Sequence, residues 1–466
     1  MIATLTEQFI PFAERLEAQG AHPIFIDIFA SYYEQLLAGK TGLIPEDSLE
    51  PVDALPDAER LPDELRLIGQ EALAKTAVIK LNGGLGTGMG LEQAKSLLPV
   101  KQGLTFLDVI ARQAQQNNVP LLLMNSFATE DDTLEALAPY ARLPHPPATF
   151  VQNKEPKIRQ ADLMPVCWPE NRELEWCPPG HGDLYASLVI SGMLDKLLDD
   201  GFEYAFISNS DNLGAVIDPA ILGYFVDNDL PFMMEVADRT EMDKKGGHLA
   251  QRAEDGQLVL RESAQCPKED EAAFQDISRH KYFNTNNLWL NLVVLQEVLE
   301  ERGNMLGLPL IRNSKTVDPR DGGSTAVYQL ETAMGSAISV FVGAQAIRVP
   351  RSRFAPVKKT DDLLAVRSDA YLLTDDYQIV FNPAHVSGNV VVELDGRYYK
   401  FVNDLDARFP DGIPSLLKCT RLQVQGDVVF GANVSLVGDV EICNKSGRSV
   451  TIPAGSVLSG RHLFES

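Results

Sequence analysis

Cysteine is scarce: the 466-residue chain has five, Cys167, Cys177, Cys266, Cys419 and Cys443, never in C-x-x-C spacing. An odd, scattered set argues against a disulfide framework and against a zinc site, and points to a reducing cytoplasm. No apolar run approaches the roughly 20 residues that cross a bilayer, and no charged-then-apolar leader opens the sequence. The expectation is a soluble, cytoplasmic protein with no membrane partner. Positive charge is also in deficit, 41 Lys and Arg against 65 Asp and Glu, a net charge of −24. Such a surface repels nucleic acid backbones, so an anionic substrate has to be met by a local basic site. What the chain does have is apolar mass: 45% hydrophobic residues suffice for a large core, and the length suggests two to four domains.

Apolar positions at helical spacing come first, Phe9, Phe12 and Leu16, then Ile24, Ile28, Tyr32 and Leu36, before a proline- and acid-rich stretch from Pro45 to Pro62. This predicts a helical region and linker over residues 1–75. From Thr76, short apolar runs (Ala77 to Leu81, Pro120 to Met124, Tyr204 to Ser208, Pro231 to Val236) alternate with helical stretches such as Thr105 to Gln116 and Asp183 to Leu198. Alternation of that kind predicts an α/β domain over 76–375, a mostly parallel sheet covered by helices, with ligands beyond the carboxyl ends of its strands. Over 376–466 the period changes to apolar pairs at Leu422/Val424, Val428/Phe430, Val434/Leu436 and Val440/Ile442, each six residues after the last. That is the hexapeptide signature of a parallel β-helix, and Gly426 and Gly438 suit its tight corners. An antiparallel meander is the plainer alternative. An exposed end or edge of a β-helix would offer a route to homo-oligomers.

The strand Ala77-Val-Ile-Lys-Leu81 runs straight into Asn-Gly-Gly-Leu-Gly-Thr-Gly-Met-Gly90, five glycines in eight residues. Loops of this kind let backbone N–H groups close on phosphate oxygens. The spacing never gives G-x-G-x-x-G, and Ala94 stands where a Walker A loop needs glycine before its lysine, so neither a dinucleotide fingerprint nor a P-loop kinase is written here.

Leu-Asn-Gly-Gly-Leu-Gly-Thr with Lys95 following resembles the UTP–glucose-1-phosphate uridylyltransferase family of eukaryotic type, in which Asn82 favours the glucose branch. The family commonly has proline where this chain has Ala94. The resemblance implies a Rossmann-like, nucleotide-diphospho-sugar transferase-like fold with a left-handed β-helix at the C-terminus. It also implies that Leu81, Asn82, Gly83, Gly84 and Lys95 bind the nucleotide. Phe150-Val-Gln-Asn-Lys-Glu-Pro-Lys157 is similar to the family's uracil-reading stretch, with Gln152 as the reader. A primary amide offers both donor and acceptor, matching uracil N3–H and a neighbouring carbonyl, although a glutamine after a strand, taken alone, is usually a surface residue.

Pro178-Pro-Gly-His-Gly-Asp183 leads into a helix that Asp183 suits as N-cap. By the same match Gly180 lies near the base, and His181 and Gly182 lie by the sugar phosphate. Ile207-Ser-Asn-Ser-Asp-Asn-Leu-Gly214 follows a strand. Asp211 there resembles the family's Mg2+ ligand, a hard oxygen donor, and Asn209 a neighbouring substrate contact, although an aspartate after a strand is more often a turn former. Phe283-Asn-Thr-Asn-Asn-Leu-Trp289 supplies Asn286 as the match to the hexose contact. Gln329-Leu-Glu-Thr-Ala-Met-Gly335 is a further family stretch in which Glu331 has no firm role. The run from Arg348 to Lys359 holds five cations in twelve residues and matches the family's Pro-Arg-Ser-Arg-Phe-x-Pro-Val-Lys segment. Its final lysine corresponds to Lys358, with Lys359 beside it. A charge run is ordinarily a solvated face, but flanking prolines suggest a stiff loop.

The resemblance implies that UTP and glucose 1-phosphate react by in-line attack on the α-phosphate, with Mg2+, Lys95 and Lys358 as the catalytic groups. A UDP-N-acetylhexosamine or broad-specificity pyrophosphorylase stands as the alternative substrate class. A silent nucleotide-sugar sensor would have lost Lys95, Asp211 or Lys358, and a β-helix scaffold leaves the glycine loop without a purpose.

Overall fold

A computed structural model describes residues 7–388 and 390–465; the first six residues, on which the reading of no leader partly rests, lie outside it. At its centre Thr76–Asn82 pairs in parallel with Leu121–Asn125 on one side and with Tyr204–Asn209 on the other, and Ala148–Val151 continues the parallel set. Leu121–Asn125 is buried throughout and Thr76–Asn82 almost throughout. Burial on both faces is why these strands read as continuous apolar runs rather than alternating ones. Beyond Tyr204–Asn209 the long strand Tyr282–Asn291 runs antiparallel, pairs in turn with Phe232–Asp238, and Gln345–Arg348 closes on the latter in parallel. The sheet is therefore mixed rather than mostly parallel as expected, because Tyr282–Asn291 and the hairpin His248–Arg252 and Leu258–Arg261 join it antiparallel, and helices pack on it. Asn82, Asn125, Val151 and Asn209 all end on one edge, and the antiparallel Tyr282–Asn291 begins there.

Phe106–Gln116 forms as expected, opened by a reciprocal cap in which Thr105 Oγ1 accepts from Asp108 N–H and Asp108 accepts from Thr105 N–H. The stretch Asp183 to Leu198 differs from the expectation of one helix. It is two, Leu184–Ile190 and Met193–Asp199, because Gly192 between them sits at φ 71, in the left-handed region.

The N-terminal helices Ile10–Ala18 and Pro23–Leu37 are present, and Leu36 is buried as expected, but the rest of the second helix's buried stripe includes Phe25, Phe29 and Tyr33 rather than Ile24, Ile28 and Tyr32. Tyr33 packs its ring at a tilt against Phe12, 4.8 Å between centres, so Phe25, Phe29 and Tyr33 take the buried face and Ile24 and Ile28 are left half-buried beside it. The stretch from Pro45 to Pro62, read as a linker, is bound down. Leu49–Glu50 pairs with Gln251 and Arg252, and the Asp57 carboxylate accepts from Arg348 at 3.1 Å.

In the C-terminal region Val391–Leu394, Ser415–Gln425, Ser435–Asn444 and Val457–Phe464 form a sheet whose every pairing is parallel, and Val428–Phe430 pairs in parallel with Val450–Ile452. The hexapeptide residues Leu422, Val424, Val428, Phe430, Val434, Leu436, Val440 and Ile442 are all buried in one cluster. Leu422 pairs with Val440 and Val424 with Ile442, three hexapeptides on, which rules out a meander for these strands. Gly426 and Gly438 take φ 85 and 69, as corners require. All five cysteines are free thiols, and among the described residues no helix is long and apolar enough to cross a membrane.

Helices Asp63–Ala72 and Pro219–Asp227 cross with their backbones nearly touching at Gly69 and Gly223. A Cβ on Gly69 would lie 1.7 Å from the Pro219 carbonyl oxygen, and one on Gly223 would lie 1.8 Å from that of Leu65. Neither carbonyl belongs to a flexible side chain. Gly69→Ala or Gly223→Ala is therefore expected to lower the unfolding free energy by about 1–3 kcal/mol, read from urea midpoints; an unchanged midpoint would refute the crossing.

Candidate active site

The glycine loop leaves the sheet at Asn82, whose side chain turns inward. Its Nδ2 donates to Asn125 Oδ1 at 2.7 Å and to Thr133 Oγ1 at 3.0 Å. Leu81 is likewise engaged, its carbonyl accepting from Ser210 N–H at 3.0 Å. The Leu81 carbonyl is thus taken up, while Asn82 Oδ1 is buried without a hydrogen-bond partner among the described residues, and the surface open to a ligand begins at Gly83. From there the carbonyls are used internally: Gly83 accepts from Ser126 Oγ, Gly84 from Lys95 N–H and Gly86 from Met89 N–H. Among the described residues none of the N–H groups from Gly83 to Gly88 has an internal partner. Such a row of outward N–H dipoles suits an anion. Ala94 takes φ −53, a value proline also adopts, so the turn before Lys95 keeps its shape without the ring, and its N–H finds Asp132 at 3.3 Å.

Lys95 Nζ lies 2.6 Å from Asp211 Oδ2, with the two side chains 14% and 23% exposed. The two residues predicted to attend the triphosphate thus meet each other first. Asp211 is also tied to the basic loop, its carbonyl accepting from Val357 N–H at 3.1 Å, immediately before Lys358.

That loop departs from expectation. Three of its five cations are absorbed by carboxylates: Arg348 by Asp57, Glu59 and Asp238, Arg351 by Asp243, and Arg353 by the buried Glu235. The arginines anchor the loop and are not the basic site. Lys358 is exposed, its ammonium 5.6 Å from the centre of the Phe354 ring, and it reaches neither Asp211 nor Lys95.

Gln152 stands against the loop, since a Cβ on Gly83 would come within 2.9 Å of its Nε2, and glycine is what lets the amide approach. Its neighbour Asn153 is held by Asp183, which accepts from the Asn153 backbone at 2.6 Å and side chain at 2.9 Å, and from Ser187 Oγ at 2.8 Å. The expected N-cap is thus corrected: the Asp183 carboxylate makes no bond to the N–H groups of its own helix and instead ties the 150–157 stretch to the His181 loop. Burial pushes its pKa up to about 6, partly offset by the bonds from Asn153 and Ser187.

Thr332 packs under Gly180 and Gly182, and Gly182 N–H donates to its carbonyl at 2.8 Å. His181 Nδ1 accepts from Met334 N–H at 2.9 Å, and burial lowers its pKa to about 4. The ring is therefore neutral at physiological pH, with its proton on Nε2, a donor of the kind a phosphate oxygen takes.

Asn209 ends its strand half-buried. Asn286 sits at φ 59 in the Asn284–Asn287 bulge, its N–H donating to Asn284 Oδ1 and its Oδ1 accepting from Asn284 Nδ2. Asn287 next to it joins Asn212 at 3.1 Å, and Asn212 adjoins Asp211. By these links the thirteen predicted residues fall along one sheet edge. Asn153, Asp183, Asn212, Asn287 and Glu235 were not anticipated in supporting roles. A glutamate inside the otherwise apolar run Phe-Met-Met-Glu-Val-Ala was the visible signal for the last.

A mixed α/β sheet whose carboxyl edge gathers a glycine loop, a lysine–aspartate pair and a second lysine defines a nucleotidyltransferase. The family model described as UTP–glucose-1-phosphate uridylyltransferase matches residues 26–437. The protein of that name from Solanum tuberosum is 44% identical over 402 residues, 84% of this chain and 82% of that one. The one from Saccharomyces cerevisiae is 42% identical over 393 residues, 83% and 77% of the two chains. Among solved structures, a UDP-glucose pyrophosphorylase variant from Leishmania major superposes with a TM-score of 0.91 at 43% identity, covering 99% of this chain and 100% of that one. Another from the same organism, in complex with UDP-glucose, gives 0.88 at 44% identity with the same coverage. The chain belongs to the UTP–glucose-1-phosphate uridylyltransferase family.

Asp183 makes the site's pH behaviour testable. Because its pKa is raised from 3.8 to about 6, folding favours the protonated form. The stability this contributes is full below pH 3.8 and is lost as pH rises through 6. His181, lowered from 6.5 to about 4, contributes in the opposite sense, losing stability as pH falls through 4. Comparison with Asp183→Asn isolates the first effect. The variant's stability relative to wild type should rise by on the order of 3 kcal/mol between pH 4 and pH 7, measured by urea denaturation; parallel profiles would contradict it.

Proposed function

We propose that the chain joins UTP to glucose 1-phosphate, releasing pyrophosphate, at the edge where the glycine loop faces Lys95, Asp211 and Lys358. A phosphate oxygen of the sugar 1-phosphate attacks the α-phosphorus of UTP, and the bond from that phosphorus to the bridging oxygen breaks in line, so no enzyme-bound intermediate is needed. The observation that carries this is the Lys95–Asp211 pair beside the row of unpartnered loop N–H groups. It is supported by the family name and by relatives named for glucose rather than for an N-acetylhexosamine.

In this reading Gln152 reads uracil with its amide, and Gly180 lies by the base. His181 donates from Nε2 to the sugar phosphate beside Gly182. Asn209 and Asn286 meet the hexose. Lys95 leaves Asp211 for the departing pyrophosphate, and Lys358 swings from Phe354 to the phosphates where they meet. The protein's work is orientation and charge neutralisation.

Asp211 would hold Mg2+. It is a single, partly exposed carboxylate, and the described residues contain no group of three or more His, Cys, Asp or Glu able to cage a metal. That donor set fits an ion that keeps its waters and takes its remaining ligands from substrate phosphates. When bound, the ion supplies positive charge to the phosphate oxygens. The C-terminal parallel strands we read as a left-handed β-helix, a reading supported by pairing three hexapeptides apart.

Purified protein with UTP, glucose 1-phosphate and Mg2+ should release pyrophosphate, and chelation should stop it reversibly. Lys358→Ala is expected to lose about 10²–10³ in turnover, roughly 3 kcal/mol, with an unchanged urea midpoint because its ammonium makes no ion pair among the described residues. Near-normal turnover would remove Lys358 from the reaction.

A further inference from the structure

Glu235 has no role in the reaction as described, yet it is the best-connected carboxylate in the sheet. It is wholly buried. Oε1 accepts from Trp289 Nε1 at 3.0 Å and Arg353 Nη2 at 2.6 Å, and Oε2 accepts from Arg353 Nε at 2.7 Å and Asn287 Nδ2 at 3.0 Å. Its backbone carbonyl accepts from Thr285 Oγ1 at 2.7 Å. The register of its strand shifts immediately after it, opposite Asn284–Asn287. A buried ion pair contributes little net stability once desolvation is counted, and its best-attested use is to hold one arrangement among several.

We infer that Glu235 is a positioning residue for the transfer, acting through Arg353 and Asn287 on the three segments that carry Asn286, Asp211 and Lys358. The branches are continuous. Arg353 carries the start of the Lys358 loop, and its carbonyl accepts from Asn212 Nδ2 at 3.1 Å and Asn287 Nδ2 at 3.2 Å. Asn212 in turn accepts from Ala355 N–H at 2.9 Å and donates to Asn287 Oδ1 at 3.1 Å. Asn212 follows Asp211, and Asn287 follows Asn286 with its left-handed backbone. The metal loop, the hexose strand and the lysine loop therefore share one buried hub, so none of the three can shift without breaking a bond to it.

The inference rests on the site reading proposed above. Glu235→Gln would leave the Arg353 guanidinium buried without its counter-charge and endanger the fold, whereas Asn287→Ala removes its bonds to Glu235, the Arg353 carbonyl and Asn212 but leaves the ion pair and the bonds of Asn212 to Arg353 and Ala355 intact, so the segment freed most is its own, beside Asn286. In the full chain, Asn287→Ala should raise KM for glucose 1-phosphate about tenfold while KM for UTP stays within about twofold. Added to Asn286→Ala, which acts on the same contact, it should cause less than about a twofold further rise, because coupled residues are not additive. A merely structural role would lower kcat with the folded fraction and leave both KM values alone. That result, equal shifts in both KM values, or multiplying effects in the double variant would overturn the inference. If Asn286→Ala itself leaves KM for glucose 1-phosphate unchanged, the site reading fails and the inference with it. If Asn286→Ala acts and Asn287→Ala is silent, the inference alone fails.

Discussion

Parallel pairing of Thr76–Asn82 with Tyr204–Asn209 is the constraint from which the rest of the site follows. Asn209 lies opposite Leu81, and Ser210 N–H reaches the Leu81 carbonyl, so the two strands end in step. One residue of slip would turn every side chain of a strand to its other face. In this register the chain leaving one strand becomes the glycine loop and the chain leaving the other becomes the Asp211 loop. Lys95, returning from the glycine loop, then has Asp211 within reach at 2.6 Å.

The same register solves an electrostatic problem. A molecule of net charge −24 has to admit a triphosphate and a sugar phosphate. The arginines that looked like the answer are consumed by Asp57, Asp238, Asp243 and Glu235, which stiffen the loop rather than attract the ligand. On the proposed reading, what remains for substrate is a few unpartnered N–H groups, a neutral imidazole donor, and two lysines, one held by Asp211 and one resting on an aromatic ring. On that reading a phosphate takes the place of Asp211 at Lys95 and of the Phe354 ring at Lys358.

The parts of this arrangement that depend on local chemistry were legible in the sequence. Strands buried on both faces, the glycine loop, the capped helix from Phe106 and the hexapeptide period all announce themselves within a dozen residues. Parts that depend on distant partners did not. Arg353 meets Glu235 across 118 positions, and a run of cations carries no mark of which carboxylates will neutralise it. Asp183 has the position of a helix cap, yet Asn153, 30 residues earlier, offers it both a backbone and a side-chain donor. The buried stripe of Pro23–Leu37 lies one residue beyond the spacing of Ile24, Ile28 and Tyr32 until the two meet at Leu36, because adjacent apolar faces overlap there. Only packing against Phe9 and Phe12 decides between them.

Displacement of Lys95 is the most direct test of this account. In a crystal structure of the protein with UTP and Mg2+, Lys95 Nζ should have left Asp211 and stand within hydrogen-bond distance of a phosphate oxygen, with the Gln152 amide on the uracil edge. A nucleotide bound elsewhere while the Lys95–Asp211 pair stays closed would contradict it.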